Sequence, residues 1–230
     1  MKEGGMSQVI QVKLVSCTNN PAWTIEQAAS VCYDSTPTED CKLVMQCYKS
    51  GHTSVLEHAS FTFKISGISR ACSHQLVRHR IASYSQRSQR YVNENGFDFV
   101  EPITASDTSG DSDYNFLNAM DSAQYYYEQL AKQIPKEDAR YVLPNACETT
   151  VYMTINLRSM INFMNERLCS RAQWEIQEVA KQMRREVVKV MPQAEKMLVP
   201  KCEKNWEYPF CPERQCCGRH LKLKDVYKND

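Results

Sequence analysis

The chain contains only seven glycines in 230 residues, which limits how it can fold around a nucleotide. Neither G-x-x-x-x-G-K nor G-x-G-x-x-G occurs, so both common glycine-rich phosphate-binding turns are missing from the sequence. A Rossmann domain in its usual form needs the second of these turns. We therefore expect a non-Rossmann fold in which side chains hold any nucleotide or cofactor.

Hydrophobic periodicity predicts strands and helices in an irregular order. The predicted strands cover residues 7–16, 59–69 and 147–155. The predicted helices cover residues 24–35, 38–51, 69–80, 116–134, 136–143, 157–168 and 172–191. The Ser- and Gln-rich residues 81–91 are predicted to form an ordered loop. Because strands and helices do not alternate regularly, the sequence predicts an α+β fold with a mixed sheet and surrounding helices.

The chain is long enough, with 42% hydrophobic residues, to bury a complete core. We predict a main domain over residues 1–200 and a Cys-rich extension over 201–230, where Pro209 and Pro212 argue against a helix. No apolar run approaches the roughly 20 residues that span a bilayer. The N-terminus also lacks the apolar region of a signal peptide. These features predict a cytoplasmic protein without a membrane segment.

No Asp or Glu occurs from His58 to Asn93, although the whole chain balances 28 Lys and Arg against 27 Asp and Glu. This segment contains four closely spaced arginines: Arg78, Arg80, Arg87 and Arg90. Arginine binds phosphate oxygens bidentately and keeps its charge when desolvated. The alternative is that these arginines pair with carboxylates from elsewhere in the fold. Because the positive charge is local, we favour a discrete bound anion over a polyanion such as nucleic acid.

The predicted helix 157–168 carries a second polar group. Arg158, Asn162 and Glu166 recur at every fourth position and so share one face, opposite the apolar side. Asparagine is a weak helix former, and three asparagines in and just before this helix suggest amides used for hydrogen bonding. The simpler interpretation is an amphipathic helix whose charges are solvated.

Part of the cysteine content is concentrated in the extension. Four of the eleven cysteines and one histidine lie there: Cys202, Cys211, Cys216, Cys217 and His220. Tetrahedral zinc uses such ligands. However, the spacing lacks the paired C-x2-C knuckles that identify a zinc site from sequence. We therefore expect reduced thiols and no bound metal.

Residues 78–88 read Arg-His-Arg, seven residues, then Ser, which resembles the signature of the flavin-dependent thymidylate synthases. The segments GHTSVLEHASFTF, DARYVLPNACETTVYMTINLRSMINFMNERL and AQWEIQ are also similar to that family in order and spacing. The resemblance covers about residues 9 to 192. It implies a homotetramer with intersubunit active sites that binds FAD, dUMP, the one-carbon donor methylenetetrahydrofolate and the reductant NADPH.

The resemblance also implies roles for individual residues. Arg167 is the catalytic residue, because the matching arginine lies by the pyrimidine and favours loss of its N3 proton. FAD would be bound by His52, Ser54, Arg78, His79, Arg80, Gln86, Asn156, Leu157, Arg158 and Asn162. The dUMP would be bound by Gln75, Arg78, Gln86, Arg87, Ser88, Gln89, Arg90, Arg140 and Arg167. Ser88 is assigned to binding, since a serine without a nearby base is a weak nucleophile.

One departure and one alternative accompany this assignment. Ser85 and Gln86 stand where the family often has Asn and Glu, so a carboxylate beside the flavin and substrate is missing. The alternative function is a nucleic-acid-binding module that uses the Arg/Ser/Gln loop, with Tyr84 or Tyr91 as stacking platforms. The balanced net charge argues against it.

Overall fold

The computed structural model describes residues 9–106 and 111–226. These residues belong to two compact units. The first unit consists of Met1–Gln11, Ile65–Arg78 and Ser85–Tyr152, and the second of Val12–Lys64, His79–Tyr84 and Met153–Asp230. Among the residues described, no helix is both long enough and apolar enough to cross a membrane.

Strands and helices occur together, which confirms the predicted α+β class. The strands are β1 (Gln11–Cys17), β2 (Ser60–Ser69), β3 (Ser83–Gln86) and β4 (Glu148–Asn156). The helices are α1 (Pro21–Tyr33), α2 (Lys42–Lys49), α3 (Arg70–Leu76), α4 (Ile103–Ser106), α5 (Asp111–Leu130), α6 (Lys136–Ala139), α7 (Leu157–Arg167), α8 (Trp174–Val190) and α9 (Leu223–Val226). Residues 7–8 of the predicted first strand lie outside the described part of the chain.

The strands pair in the order β1-β2-β4-β3. Thr62 Oγ1 lies 2.9 Å from Thr154 Oγ1, and the Leu157 N–H donates to the Ala59 carbonyl at 2.8 Å. Residue numbers therefore rise along β2 as they fall along β4, so this central pair of the predicted mixed sheet is antiparallel.

Burial follows the predicted hydrophobic faces. In β2, Phe61, Phe63 and Ile65 alternate and are fully buried, as the two-residue period of a strand requires. Helix α8 buries most of its predicted apolar stripe, namely Ile176, Val179, Ala180, Met183 and Val187. Val190, at the end of that stripe, is 41% exposed. In the first unit, Phe97, Met120 and Cys147 form a buried cluster. The predicted apolar faces of β2 and α8 are thus buried, except for the last residue of α8.

The basic segment differs from its predicted structure in two ways. Helix α3 ends at Leu76 instead of residue 80, so Arg78 and Arg80 lie beyond it. The predicted loop 81–91 contains the strand β3. Its four residues, SYSQ, include a single large apolar side chain, so hydrophobic alternation could not reveal the strand. Hydrogen bonding to β4 stabilises it instead, with the Arg87 N–H donating to the Thr150 carbonyl at 3.0 Å.

Candidate active site

The N-terminus of α7 fixes several predicted site residues in the second unit. Asn156 Oδ1 accepts the N–H of Ser159 at 2.8 Å and so caps the helix. Leu157 is fully buried, which anchors the first turn. Arg158 and Asn162 are exposed on the other side of α7, as its amphipathic pattern predicted. The cap and the anchor therefore hold both polar side chains at a fixed place on the surface.

Arg158 and Asn162 line an open cavity of about 590 Å³, which we call the α7 cavity. Thr53 also lines it, and its neighbours His52 and Ser54 are exposed. The wall further contains two cations, two aromatic rings and one carboxylate, from Lys49, Lys204, Tyr48, Trp206 and Glu207. Its volume falls within the roughly 300–1,000 Å³ of small-molecule sites. Cationic and aromatic walls suit a planar anionic ligand.

Two predicted residues near this cavity already have internal partners. Arg158 forms an ion pair with Glu57, and both side chains are about half exposed. His52 Nδ1 lies 2.6 Å from the hydroxyl of Tyr33, and the two rings stack. An exposed ion pair contributes roughly 0–1 kcal/mol. A bound anion could therefore displace Glu57 from Arg158 at little energetic cost.

His79 is held in one tautomer by Ser159. The Ser159 hydroxyl donates to the Ile81 carbonyl at 2.6 Å, so its oxygen must accept the bond from His79 Nε2, 2.8 Å away. Burial lowers the pKa of His79, opposed by the hydrogen bond to Ser159 and reinforced by the charge of Arg167. His79 is therefore neutral at pH 7, with its proton on Nε2.

Arg167 ends α7 and is half-buried, and its charge acts on both His79 and Tyr84. The Tyr84 hydroxyl donates to the His79 carbonyl at 2.7 Å. Burial raises the pKa of Tyr84 to about 12, although the charge of Arg167 opposes this. The imidazole and the phenol therefore stay neutral at pH 7, beside the permanent positive charge of Arg167.

Gln86 belongs to a hydroxyl network of the first unit. Its Nε2 donates to Ser73 Oγ at 2.8 Å and to Thr149 Oγ1 at 3.3 Å, and both hydroxyl residues are buried. The Ser73 hydroxyl already donates to the Arg70 carbonyl at 2.9 Å. Its oxygen can therefore only accept, which an amide satisfies and an ionised Glu does not. The network explains why this chain can carry Gln where the family often has Glu.

Four arginines and two carboxylates lie together in the first unit, and we call them the arginine group: Arg70, Arg87, Arg90, Arg140, Glu94 and Glu137. Nη2 of Arg87 lies 3.0 Å from Glu94, and Nη2 of Arg90 lies 2.9 Å from Glu137. The pKa of Arg70 is lowered by burial, opposed by Glu94 and reinforced by Arg140. Because the arginine group brings several guanidinium donors together, it suits a phosphate.

The alternative of internal carboxylates thus holds for Arg87 and Arg90. It does not extend to Arg78 and Arg80, which are exposed and pair with no carboxylate among the described residues. Other predicted substrate residues lie close by along the chain: Gln75 on α3, then Ser88 and Gln89 after β3, all half-buried. The Ser88 hydroxyl accepts the N–H of Arg90 at 3.2 Å, which is a turn-forming role.

Several residues of these groups were not identified from the sequence. Glu94 is the first acid after the acid-free segment, so its pairing with that segment had a visible signal. Ser73, Thr149 and Ser159 had none, because isolated hydroxyl residues occur throughout the chain. Trp206 lies in the extension, far in sequence from α7, and only the tertiary structure places it in the wall of the α7 cavity.

Glu94 predicts a pH dependence of stability. It is 4% exposed, and burial raises its pKa, opposed by Arg87 and then Arg70. Such a carboxyl stabilises the fold below its ordinary pKa of 4.5, and this contribution is lost as pH rises through the higher folded value. Glu94→Gln should therefore flatten the decline in the free energy of unfolding above pH 4.5, measured by urea titration over a pH series. Glu178→Gln is the surface control, and an unchanged slope in Glu94→Gln would contradict the assignment.

Comparison with known proteins identifies the family of the chain. The family model described as "Thymidylate synthase complementing protein" matches residues 13–193. The flavin-dependent thymidylate synthase of Clostridium tetani is 38% identical over 251 residues, covering 97% of this chain and 99% of that protein. Its counterpart in Geobacter sulfurreducens is 40% identical over 232 residues, covering 95% and 98%.

A solved structure shares the fold. The crystal structure of thymidylate synthase X from Helicobacter pylori, with FAD and dUMP, matches 83% of this chain and 99% of that chain, with a TM-score of 0.66 and 24% identity. The fold is therefore that of a thymidylate synthase of this type. The chain belongs to the thymidylate synthase complementing protein family, whose relatives here are flavin-dependent thymidylate synthases. The resemblance inferred from the sequence is confirmed.

Proposed function

We propose that the protein catalyses the reductive methylation of dUMP to dTMP. Methylenetetrahydrofolate is the carbon donor, and NADPH-reduced FAD is the source of hydride. The observation that carries this proposal is the arginine group, whose clustered guanidinium donors suit a nucleotide phosphate, in a chain of this family. The relatives are named as flavin-dependent, and the structure from Helicobacter pylori contains FAD and dUMP.

The phosphate of dUMP is assigned to the arginine group. Arg87, Arg90 and Arg140 supply guanidinium donors, and the phosphate would compete with Glu137 for Arg90. The remainder of the nucleotide shell is proposed to come from Gln75, Arg78, Gln86, Ser88 and Gln89. Charge-assisted bonds to phosphate are about twice as strong as neutral ones. The guanidiniums should therefore supply most of the binding energy.

FAD is assigned mainly to residues of the second unit. The α7 cavity fits the group, because it combines aromatic rings with cations that suit a diphosphate. Its proposed ligands there are His52, Ser54, His79, Arg80, Asn156, Arg158 and Asn162, joined by Arg78 and Gln86. Leu157 contributes by anchoring the helix that carries Asn156 and Arg158. Bound FAD would supply the hydride chemistry that side chains cannot.

Arg167 is proposed as the catalytic residue. Its charge is permanent, while its neighbours His79 and Tyr84 are neutral at pH 7. A fixed guanidinium beside the pyrimidine stabilises the negative charge that develops when the N3 proton leaves. Because the guanidinium is already half-buried, its hydrogen bonds are less weakened by water than those of an exposed arginine. Arg167 therefore acts by electrostatic stabilisation and not as a base.

The visible absorption spectrum tests the proposal first. Freshly purified protein should show a flavin spectrum, bleach on addition of dithionite, and change again when dUMP is added. The control is dCMP, which carries the same phosphate on a different base and should change the spectrum less. A colourless protein that cannot be reconstituted with FAD would contradict the proposed function. A flavoprotein that does not respond to dUMP would contradict the substrate assignment alone.

The remaining expectations stay part of this proposal. They are a catalytic domain over residues 1–200 without a Rossmann fold, a separate Cys-rich extension over 201–230, a homotetramer with intersubunit active sites, and a cytoplasmic location. In such a tetramer, more than one subunit supplies the residues of each active site. The comparisons give no support to the alternative of a nucleic-acid-binding module. Tyr84 is also tied to the His79 carbonyl, which does not favour its use as a free stacking platform.

A further inference from the structure

The extension brings three of its four cysteines and its histidine to one place. Cys202, Cys211, Cys217 and His220 line a small cavity of about 20 Å³. A fifth residue, Cys169, joins them from the segment between α7 and α8. A cavity of this size holds one particle about as large as a water molecule, so it excludes an organic ligand. Lys201 and Arg219 also line it, but both are ion-paired with carboxylates, so the thiols and the imidazole remain as donors for a single ion.

Three donor atoms beside this cavity lie close enough together to share an ion. Cys202, Glu203 and His220 each offer one ligand atom, and these three atoms lie within 4.8 Å of one another. Cys211 is close enough to Cys216 for a hydrogen bond and lies near Cys217. Bonds of about 2.3 Å to sulfur and 2.0–2.1 Å to nitrogen place the ligands of a tetrahedral zinc ion roughly 3.5–4 Å apart. Cys211 and Cys217 line the same cavity as Cys202 and His220, so they are the thiols placed to complete such a site.

The surroundings of His220 match those of a metal ligand. His220 Nε2 lies 3.5 Å from Glu203 Oε1, and Glu203 is held in turn by Arg219 Nε at 2.7 Å. If the neutral imidazole carries its proton on Nε2 and donates that N–H to Glu203, the lone pair of Nδ1 is available to bind an ion. Ligating histidines commonly donate their other N–H to a carboxylate, which fixes the tautomer and the ring orientation. Glu203 is thus a positioning residue.

The extension also has few other means of holding its structure. Among the described residues 201–226, the single buried apolar side chain is Cys211. Regular structure there consists of a three-residue 3-10 helix at Lys201–Glu203 and the four-residue helix α9. Small segments without a core usually need disulfides or a metal. The cysteines form no disulfide, so a bound metal is the remaining cross-link that the extension could make within itself.

We propose that the extension binds one Zn²⁺ through Cys202, Cys211, Cys217 and His220. Thiolate and imidazole ligands favour zinc over magnesium and calcium, which take oxygen ligands. On binding, the three thiols lose their protons to solvent and each sulfur forms a bond to the ion. The sequence spacing did not indicate this site, since no C-x2-C pair occurs in the extension. The inference is independent of the thymidylate synthase activity.

Metal analysis of the untagged, full-length protein tests the site. Protein purified without chelator should contain about one zinc per chain, and Co²⁺ exchanged into it should show the intense absorption of a tetrahedral thiolate complex. Cys217→Ser and His220→Ala should each lose most of the zinc. Cys217 is exposed, so an unchanged circular dichroism spectrum would show that the loss is not caused by unfolding. Cys32→Ser changes an exposed thiol of α1 and should keep the zinc.

Three results would overturn the proposal. The first is wild-type protein without stoichiometric zinc that also gives no tetrahedral cobalt spectrum when fully reduced. The second is a thiol titration and intact mass showing a disulfide within the extension. The third is full zinc content in both Cys217→Ser and His220→Ala, which would place any bound metal elsewhere.

Discussion

Replacing Arg167 by alanine is expected to lower the rate of dTMP formation by about 100- to 1,000-fold, the usual cost of losing one preorganised donor in an active site. The loss should appear in kcat, because the guanidinium stabilises charge that develops during the reaction. Arg167 is the last residue of α7 and follows the buried residues of that helix, so the variant should still fold and bind flavin. Single-turnover measurement of dTMP, together with the flavin spectrum, checks both parts.

Two further variants sharpen this test. Arg185→Ala removes an exposed arginine of α8 that pairs with Glu178, and it should leave the rate unchanged because such surface pairs contribute little. Arg167→Lys keeps the charge but loses the planar fork and should fall between wild type and Arg167→Ala. Full activity in Arg167→Ala would remove this residue from catalysis. Loss of flavin along with activity would make it a cofactor-binding residue instead.

Arg90→Ala is expected to weaken dUMP binding by about 10- to 150-fold. A hydrogen bond to a charged group contributes roughly 1.5–3 kcal/mol, and each 1.4 kcal/mol corresponds to a factor of ten. Titration calorimetry with dUMP measures the effect directly. Because Arg90 and its partner Glu137 are both about half exposed, the substitution should have little effect on the free energy of unfolding.

Glu137→Gln is the matched variant with the opposite expected sign. Glu137 Oε2 lies 2.9 Å from Arg90 Nη2, so it would compete with the phosphate for this guanidinium. Removing its charge should tighten dUMP binding, and the effect should shrink at high salt because exposed charges are screened. An unchanged dUMP affinity in Arg90→Ala, or weaker binding in Glu137→Gln, would show that this pair is purely structural.

Local patterns predicted much of the fold. The two-residue alternation of β2 and the helical stripe of α8 survive in the structure because each segment buries its own apolar face. Strand β3 and the true end of α3 were missed, because one is held by hydrogen bonds to β4 and the other follows from backbone geometry beyond Leu76. Neither feature changes the pattern of hydrophobic residues in the sequence.

The candidate site, like the fold, was determined partly by the sequence and partly by the tertiary structure. The sequence alone determined the family, because the spacing of Arg78, His79, Arg80 and Ser88 along the chain does not depend on how the chain packs. It also indicated a bound anion, because its clustered arginines lie in a segment without Asp or Glu. Only the tertiary structure decided that Arg87 and Arg90 have carboxylate partners and that Gln86 donates to a hydroxyl. It also decided that Cys169 and three of the four cysteines of the extension surround one cavity. The physical reason is that motif spacing is a property of the chain, whereas charge pairing and donor geometry depend on residues that only folding brings together.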